Sequence, residues 1–182
     1  MVSLLDHAEF YFLRHGQTQA NADSVLGGWT DLPLTDLGLR QARDAALRLG
    51  DVPISGLHVS PLIRAYQTAE AVLTLRPDLP MTPAPLLRER NWGVWEGQPT
   101  VTLRREATLP EGEGPEEFRT RIRAGLAGIP SQAAVPVLIV AHSGTAREIY
   151  AALRIPFQRP ANCALLRFSR PTAGHGWQVQ EI

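Results

Sequence analysis

The sequence predicts an α/β sandwich, and three observations carry the prediction. Short apolar runs of strand length alternate along the chain with amphipathic runs of helix length. Two of the strand-like runs end at basic or imidazole side chains, Arg14-His15 and His142, and a third ends one turn before Arg64. The 182 residues suffice for one core-bearing domain, and no Pro- or Gly-rich stretch is long enough to divide it, so residues 1–182 are expected to form a single domain.

The elements follow in order. Phe10 to Leu13 is the first strand, and it stops at Arg14-His15-Gly16 before a polar loop holding Thr18 and Asn21. Thr35 is an N-cap for a helix whose apolar stripe is Leu39, Ala42, Ala46 and Leu49, closed by Gly50. Gly56 to Ser60 is a short strand. Ser60-Pro61 then has the pattern of an N-cap and first helical position, opening a helix to about Leu75. "LPMTPAPLL", residues 79–87, suits a sheet edge, because its prolines would break a central ladder. Glu116 to about Ala127 is a helix after the loop "LPEGEGP". "VPVLIVA", residues 135–141, is a buried strand feeding His142-Ser143-Gly144 and a helix to about Leu153. "CALLRFS" and "GWQVQEI" close the chain as paired strands, with a turn at Thr172 to Gly174.

Composition removes several functions. Net formal charge is zero, so no global field recruits nucleic acid or an anionic membrane. All 18 basic residues are arginine, which excludes a P-loop lysine, a Schiff base and a Ser-Lys dyad. The single cysteine, Cys163, lies in an apolar run and suits core packing; it can form no intrachain disulfide. The N-terminus, with Asp6, His7 and Glu9, lacks the pattern of a signal peptide. No apolar run approaches membrane-spanning length. A soluble cytoplasmic protein is expected, with room left for a homodimer.

Ligands of open α/β sheets bind beyond the carboxyl ends of the strands. Here those ends would gather Arg14, His15, Arg64 and His142 along one edge. Taken alone, Arg64 suits an exposed surface position, although a bound anion would favour it in the first turn of a helix. His142 precedes a helix N-terminus, whose free N–H groups suit an oxyanion. Gly16 permits close backbone approach. A neutral His15 could attack phosphorus if its other nitrogen donated to a carbonyl, and neighbouring arginines favour the neutral ring.

Five blocks then stand in order: "LRHGQTQAN", "GGWTDLPLTDLGLRQA", "SPLIRAYQTAE", "LLRERNWGVWEG" and "VAHSGTARE". Together they resemble the signature blocks of the histidine phosphatase superfamily, from Phe10 to about Leu153. The resemblance implies a three-layer α/β/α sandwich with a mostly parallel central sheet, the phosphoglycerate mutase-like fold. It implies that His15 is the nucleophile and becomes phosphohistidine, and that Arg14, Arg64 and His142 complete the phosphate pocket. Asn21 would reach in from the loop, with Gly28 and Ser143 among the substrate-binding residues. Glu89 would be the proton donor; its alternative role is an ion pair with Arg88 or Arg90. The implied substrate is a small phosphorylated metabolite, with no cofactor and no metal. Some positions depart from the common pattern: Gln17 for Glu, Ala20 for Trp, "HSG" for "HGG", and Gly112-Glu113-Gly114 without a capping serine. They bear on substrate choice rather than on the phosphate pocket.

Other chemistries fit less well. Ser143 sits like a nucleophile elbow, but Ala141 and Thr145 occupy the glycine positions and only Glu148 could supply the acid. Gly112-Glu113-Gly114 has Glu117 where a dinucleotide motif needs its third glycine. The histidines, at 7, 15, 58, 142 and 175, lack metal-ligand spacing. A non-catalytic phospho-ligand module would keep the arginines without needing both His15 and Glu89. A mutase would need a carboxylate clamp. Arg104-Arg105 could imitate one, but a solvated helix face suits them better, so the short chain points to the phosphatase branch that includes α-ribazole phosphatase-like and broad-specificity enzymes.

Overall fold

The computed structural model describes residues 8–130, 135–170 and 176–182. Six strands form one sheet: β1 (Glu9–Arg14), β2 (Leu57–Val59), β3 (Met81–Pro83), β4 (Leu138–Ala141), β5 (Leu165–Ser169) and β6 (Gln178–Glu181), in the order β3-β2-β4-β1-β5-β6. The first four are parallel, and β5 and β6 add an antiparallel edge. The helices are a single turn α1 (Gln19–Ala22), then α2 (Asp36–Leu49), α3 (Ile63–Leu75), α4 (Pro115–Ala127) and α5 (Ser143–Leu153).

Strand alternation builds two cores. Phe10 and Phe12 of β1, with Ile139 and Ala141 of β4, face α4 and α5; Tyr11, Leu13, Leu138 and Val140 face α2 and α3. That is the expected three-layer α/β/α sandwich. Phe10 stacks on Phe168 at 4.9 Å between ring centroids, and Tyr150 meets Phe168 edge-on at 5.3 Å. Cys163 is buried in the core on the α2 and α3 side, and burial pushes its thiol up to about 12, which keeps it inert.

Several boundaries move. Thr35 caps α2 as expected, accepting from the Gly38 N–H, and Gly50 closes it at φ 46°. Ser60 is not the cap of α3: that helix starts at Ile63, its N-cap position is Leu62, and the Ile63 N–H donates instead to Asp31 Oδ1 at 2.7 Å. The edge strand from "LPMTPAPLL" is only three residues long, because Pro85–Leu87 turn into a 3-10 helix. The buried run from Val135 forms ladder only from Leu138. The loop after Gly16 holds the one-turn α1, closed by a reciprocal capping box between Thr18 and Asn21. Arg104 and Arg105 lie on no helix; they follow a 3-10 turn at Thr100–Thr102 and enter another turn. The turn expected at Thr172 to Gly174, with His7 and His175, lies outside the described residues.

Candidate active site

β1, β2 and β4 are adjacent and parallel, so their carboxyl ends open on one cavity of about 480 Å³. The strand-end residues named from the sequence converge there: Arg14, His15, Asn21, Gly28, Arg64, Glu89 and Ser143 line it. His142 stands just behind, its ring centroid 5.1 Å from that of His15.

His15 is 4 % exposed. Its Nδ1 lies 2.7 Å from the Gly16 carbonyl oxygen. A carbonyl only accepts, so Nδ1 carries the proton and Nε2 keeps its lone pair. Burial first, then Arg64 and Arg14, hold the imidazole well below its ordinary value, so it is neutral. Gly16 is required sterically: a Cβ there would lie 2.5 Å from the Gly38 carbonyl oxygen, where the strand exit passes the start of α2. The Gly16 N–H donates to Thr68 Oγ1 at 3.1 Å, and Thr68 donates to the Arg64 carbonyl at 2.7 Å. These bonds tie the first strand end to α3.

Arg64, which in isolation suits the surface, is buried instead. Its guanidinium donates to the carbonyls of Gly28 at 2.7 Å and Thr30 at 3.1 Å. Arg14 donates through Nη1 to the Pro160 carbonyl at 2.8 Å. Burial, and after it the nearby Arg159, push Arg14 down to about 10, so it remains a cation at neutral pH. Among buried side-chain polar atoms of the described residues, Arg14 Nε, Arg88 Nε and His142 Nδ1 have no hydrogen-bond partner. An anion between the two strand ends would satisfy the first and the last.

Ser60 is a site residue that the sequence reading misses. Its Oγ lies 2.7 Å from His142 Nε2, and the Leu62 N–H makes a long bond to the same Oγ. Oγ keeps a second acceptor site, so the contact suits either tautomer of His142; when the hydroxyl donates, its proton goes to Nε2. His142 then carries its proton on Nδ1, the unpartnered nitrogen. Burial first, then Arg64, His15 and Arg14, hold His142 well below its ordinary value. It is therefore a neutral donor rather than a cation. "SPLIR" held the signal: a serine at a strand end can face a neighbouring strand end rather than cap a helix.

Glu89 is not ion-paired with its neighbours. One carboxylate oxygen accepts the Arg90 N–H at 2.8 Å, and the other accepts the Gly144 N–H at 3.0 Å at the start of α5. The Arg90 side chain turns away to the carbonyls of Glu113, Arg105 and Ala107, and Arg88 stacks over the Trp29 ring. Glu96 is a second residue that the sequence reading misses, and it carries no sequence signal. Its carboxylate takes the N–H groups of Trp29 and Thr30, both at 2.7 Å, and the Trp92 N–H at 3.2 Å. It thereby fixes the loop whose carbonyls hold Arg64 and whose Trp29 Nε1 donates to the Glu89 carbonyl at 2.6 Å.

Asn21 Oδ1 is occupied by the Thr18 N–H and Asn162 Nδ2, at 3.1 and 3.0 Å. Gln17 accepts from Thr35 Oγ1 at 2.9 Å and so faces the cap of α2, not the cavity mouth. Ser143 makes no hydrogen bond to His142, which turns to Ser60, so Ser143 is not paired with a histidine as a hydrolase nucleophile would be. Arg105, expected on a solvated face, lines the cavity. Among the described residues no group of three or more His, Cys, Asp or Glu could hold a metal ion, and no helix is long and apolar enough to cross a membrane.

Known proteins resemble the chain in sequence and fold. The fructose-2,6-bisphosphatase TIGAR B of Danio rerio is 36 % identical over 155 residues, which cover 69 % of this chain and 60 % of that protein. A probable phosphoglycerate mutase, GpmB, of Yersinia pestis is 31 % identical over 94 % of this chain and 91 % of its own length. Among solved structures, the Thermus thermophilus protein TTHB049 matches with a TM-score of 0.75 at 28 % identity, covering 96 % of this chain and 98 % of that one. A mycobacterial glucosyl-3-phosphoglycerate phosphatase, solved with VO3, matches with a TM-score of 0.78 at 26 % identity over 96 % of this chain and 97 % of that one. Residues 10–179 match the family described as histidine phosphatase superfamily (branch 1), and the chain belongs to that superfamily.

Proposed function

We propose that the protein hydrolyses a small phosphate monoester through a phosphohistidine on His15. The observation that carries this reading is the His15 Nδ1 bond to the Gly16 carbonyl, which leaves Nε2 unprotonated beside two buried arginines. The phosphoryl group binds between Arg14 and Arg64, with His142 Nδ1–H as a further donor. His15 Nε2 attacks phosphorus, and the bond from phosphorus to the ester oxygen breaks. Glu89 gives its proton to that departing oxygen. Water then attacks the phosphohistidine, the N–P bond breaks, and the Glu89 carboxylate takes the water's proton. Fixed donors stabilise charge on the phosphoryl oxygens throughout. The names of the bisphosphatase and phosphatase relatives support net hydrolysis.

Phosphoryl transfer between hydroxyls is the second reading, favoured by the resemblance to a protein named as a probable phosphoglycerate mutase. The two separate in one assay. The protein is given 3-phosphoglycerate with a trace of 2,3-bisphosphoglycerate, and 2-phosphoglycerate and free phosphate are both followed. Phosphate release should dominate; isomerisation much faster than release would establish transfer. Absence of turnover with both the phosphoglycerates and p-nitrophenyl phosphate, at any pH from 5 to 8, would leave only a binding module.

A further inference from the structure

The proton donor of the proposed reaction sits on backbone that no regular structure holds. Residues 88–92 lie between the 3-10 helices Pro85–Leu87 and Gly93–Trp95, beyond the end of β3. A carboxylate that must meet a leaving oxygen to within about 1 Å needs its backbone fixed by other means. Here the fixing comes from α4. Arg121 Nη1 donates to the Leu86 carbonyl at 2.8 Å and the Arg88 carbonyl at 3.0 Å, and Nη2 donates to the carbonyl of Glu89 itself at 3.0 Å. Trp29 Nε1 shares that last carbonyl. One planar guanidinium thus ties three carbonyls within four residues, a task for the rigid arginine fork.

The fork is itself held. Arg121 Nε and Nη2 lie 2.6 and 2.7 Å from the two carboxylate oxygens of Glu113, which is 7 % exposed. The same carboxylate accepts the Asn91 N–H at 2.9 Å, and the Glu113 N–H returns to the Asn91 carbonyl at 2.9 Å. The pair therefore grips the chain on both sides of Glu89, by carbonyls up to it and by an N–H after it. The Phe118 ring, one turn earlier on α4, lies 5.2 Å from the guanidinium carbon. Pairing also matters electrically. A lone cation beside an acid that must carry a proton favours its ionised form; the neutral Arg121–Glu113 pair fixes the backbone without that effect. Neither residue lines the cavity, so their part is not contact with substrate.

We infer that Arg121, held by Glu113, is a positioning residue for Glu89, and that this pair sets where the Glu89 carboxylate stands at the start of α5. The chemical consequence rests on the reading of Glu89 as proton donor; the placement does not. The placement also has its own reporter. Gly144 is in the first turn of α5, where N–H groups lack helical partners, and it donates to Glu89 at 3.0 Å. A carboxylate that moves leaves this amide to solvent.

The test uses the full chain carrying Arg121→Met together with Glu113→Gln, which removes both charges and leaves no unpaired buried ion. Amide exchange followed by NMR should be at least about tenfold faster at Gly144 than in wild type, and unchanged at Ala146, whose N–H bonds to the His142 carbonyl. The kcat/KM for glycerol 3-phosphate should fall about 30-fold or more, and that for p-nitrophenyl phosphate less than about threefold. Arg123→Met, at an exposed position on the same helix, should change none of these. If melting curves show the double variant unfolded, Arg121→Lys replaces it; it keeps the charge facing Glu113, loses the fork, and should give the same changes. Wild-type protection at Gly144 would overturn the positioning role, and so would equal loss at Gly144 and Ala146, the mark of a loosened helix. Faster exchange at Gly144 alone, with equal losses on the two esters, would uphold the placement and overturn Glu89 as the donor. A wild type that releases phosphate from neither ester, nor from 3-phosphoglycerate, would overturn hydrolysis, while the Gly144 amide still decides the placement.

Discussion

Gly144→Ala should remove proton donation while leaving the fold intact. Gly144 is the second residue of α5. A Cβ built there lies 1.9 Å from one carboxylate oxygen of Glu89, 2.9 Å from its Cδ and 3.2 Å from the other oxygen. Ordinary heavy-atom contact needs about 3.5 Å, so the carboxylate must swing by roughly 1.5 Å. It is the far end of a flexible side chain and can move. A misplacement of about 1 Å at a reacting group is worth ~10²-fold, and a lost general acid ~10²–10⁴-fold. Alkyl phosphates such as glycerol phosphate should therefore lose ~10²-fold or more in kcat/KM. An aryl ester such as p-nitrophenyl phosphate should lose less than ~10-fold, because its leaving group needs no proton. Stability should hardly change: alanine in a helix is better than glycine by about 1 kcal/mol, offsetting a hydrogen bond of similar size to Glu89. Glu89→Gln should show the same split between substrates, and the double variant should be no worse than the poorer single. Equal losses on alkyl and aryl esters, or losses that multiply in the double variant, would refute Glu89 as the donor.

Other outcomes follow from the same geometry. His15→Ala should abolish turnover and the acid-labile, alkali-stable phosphoprotein seen on rapid quenching, whereas His142→Ala should keep a trace of both; label surviving in His15→Ala would move the nucleophile. Activity should persist in excess chelator, since Arg14 and Arg64 supply the positive charge; loss restored by a divalent ion would contradict this. Ser60→Ala should lower kcat about tenfold, the worth of one hydrogen bond, by freeing the His142 tautomer; an unchanged kcat would show that Ser60 orients nothing. His15 and His142 are held well below 6.5 in the fold, so under that pH the unfolded chain binds more protons and stability falls as pH drops. Each contributes up to about 1.4 kcal/mol per pH unit until its folded value is reached. Urea midpoints from pH 7.5 to 5 should fall more steeply for wild type than for His142→Gln, and equal slopes would show that His142 protonates freely in the fold.

Residues that act along the chain were legible in the sequence; residues that act across it were less so. The α2 helix was readable because its cap, stripe and terminating glycine are all local. The central parallel strands β1 and β4 were readable as apolar runs because they are buried on both faces. Arg14, His15 and His142 were readable because a strand end is a fixed address in an α/β sheet. Ser60 was misread for the opposite reason. Ser-Pro is a good local helix start, but the hydroxyl lies 2.7 Å from a buried imidazole, and the first N–H of α3 goes to the distant Asp31 instead.

The connection from Leu87 to Pro115 is where sequence reasoning lost most, and the cause is physical. It contains only 3-10 turns, so its shape is set by side chains bonding to distant backbone, not by periodicity. Arg90 binds three carbonyls from Arg105 to Glu113, and Glu113 pairs with Arg121 at 2.6 Å while accepting the Asn91 N–H. Glu96 clamps this connection to the loop at Trp29 and Thr30. Each of these residues resembles a surface charge in a linear string, yet here each fixes a piece of backbone. Once the connection is fixed, Arg105 faces the cavity rather than solvent. Gln17 shows the reverse, since its place two residues after the nucleophile suggests contact with substrate, yet it turns back to Thr35. Substrate choice should therefore respond to changes at Arg105 and its supports more than to Gln17→Glu. A Gln17→Glu variant whose substrate ranking shifted as much as that of Arg105→Gln would show that the loop after Gly16, not this connection, selects the ester.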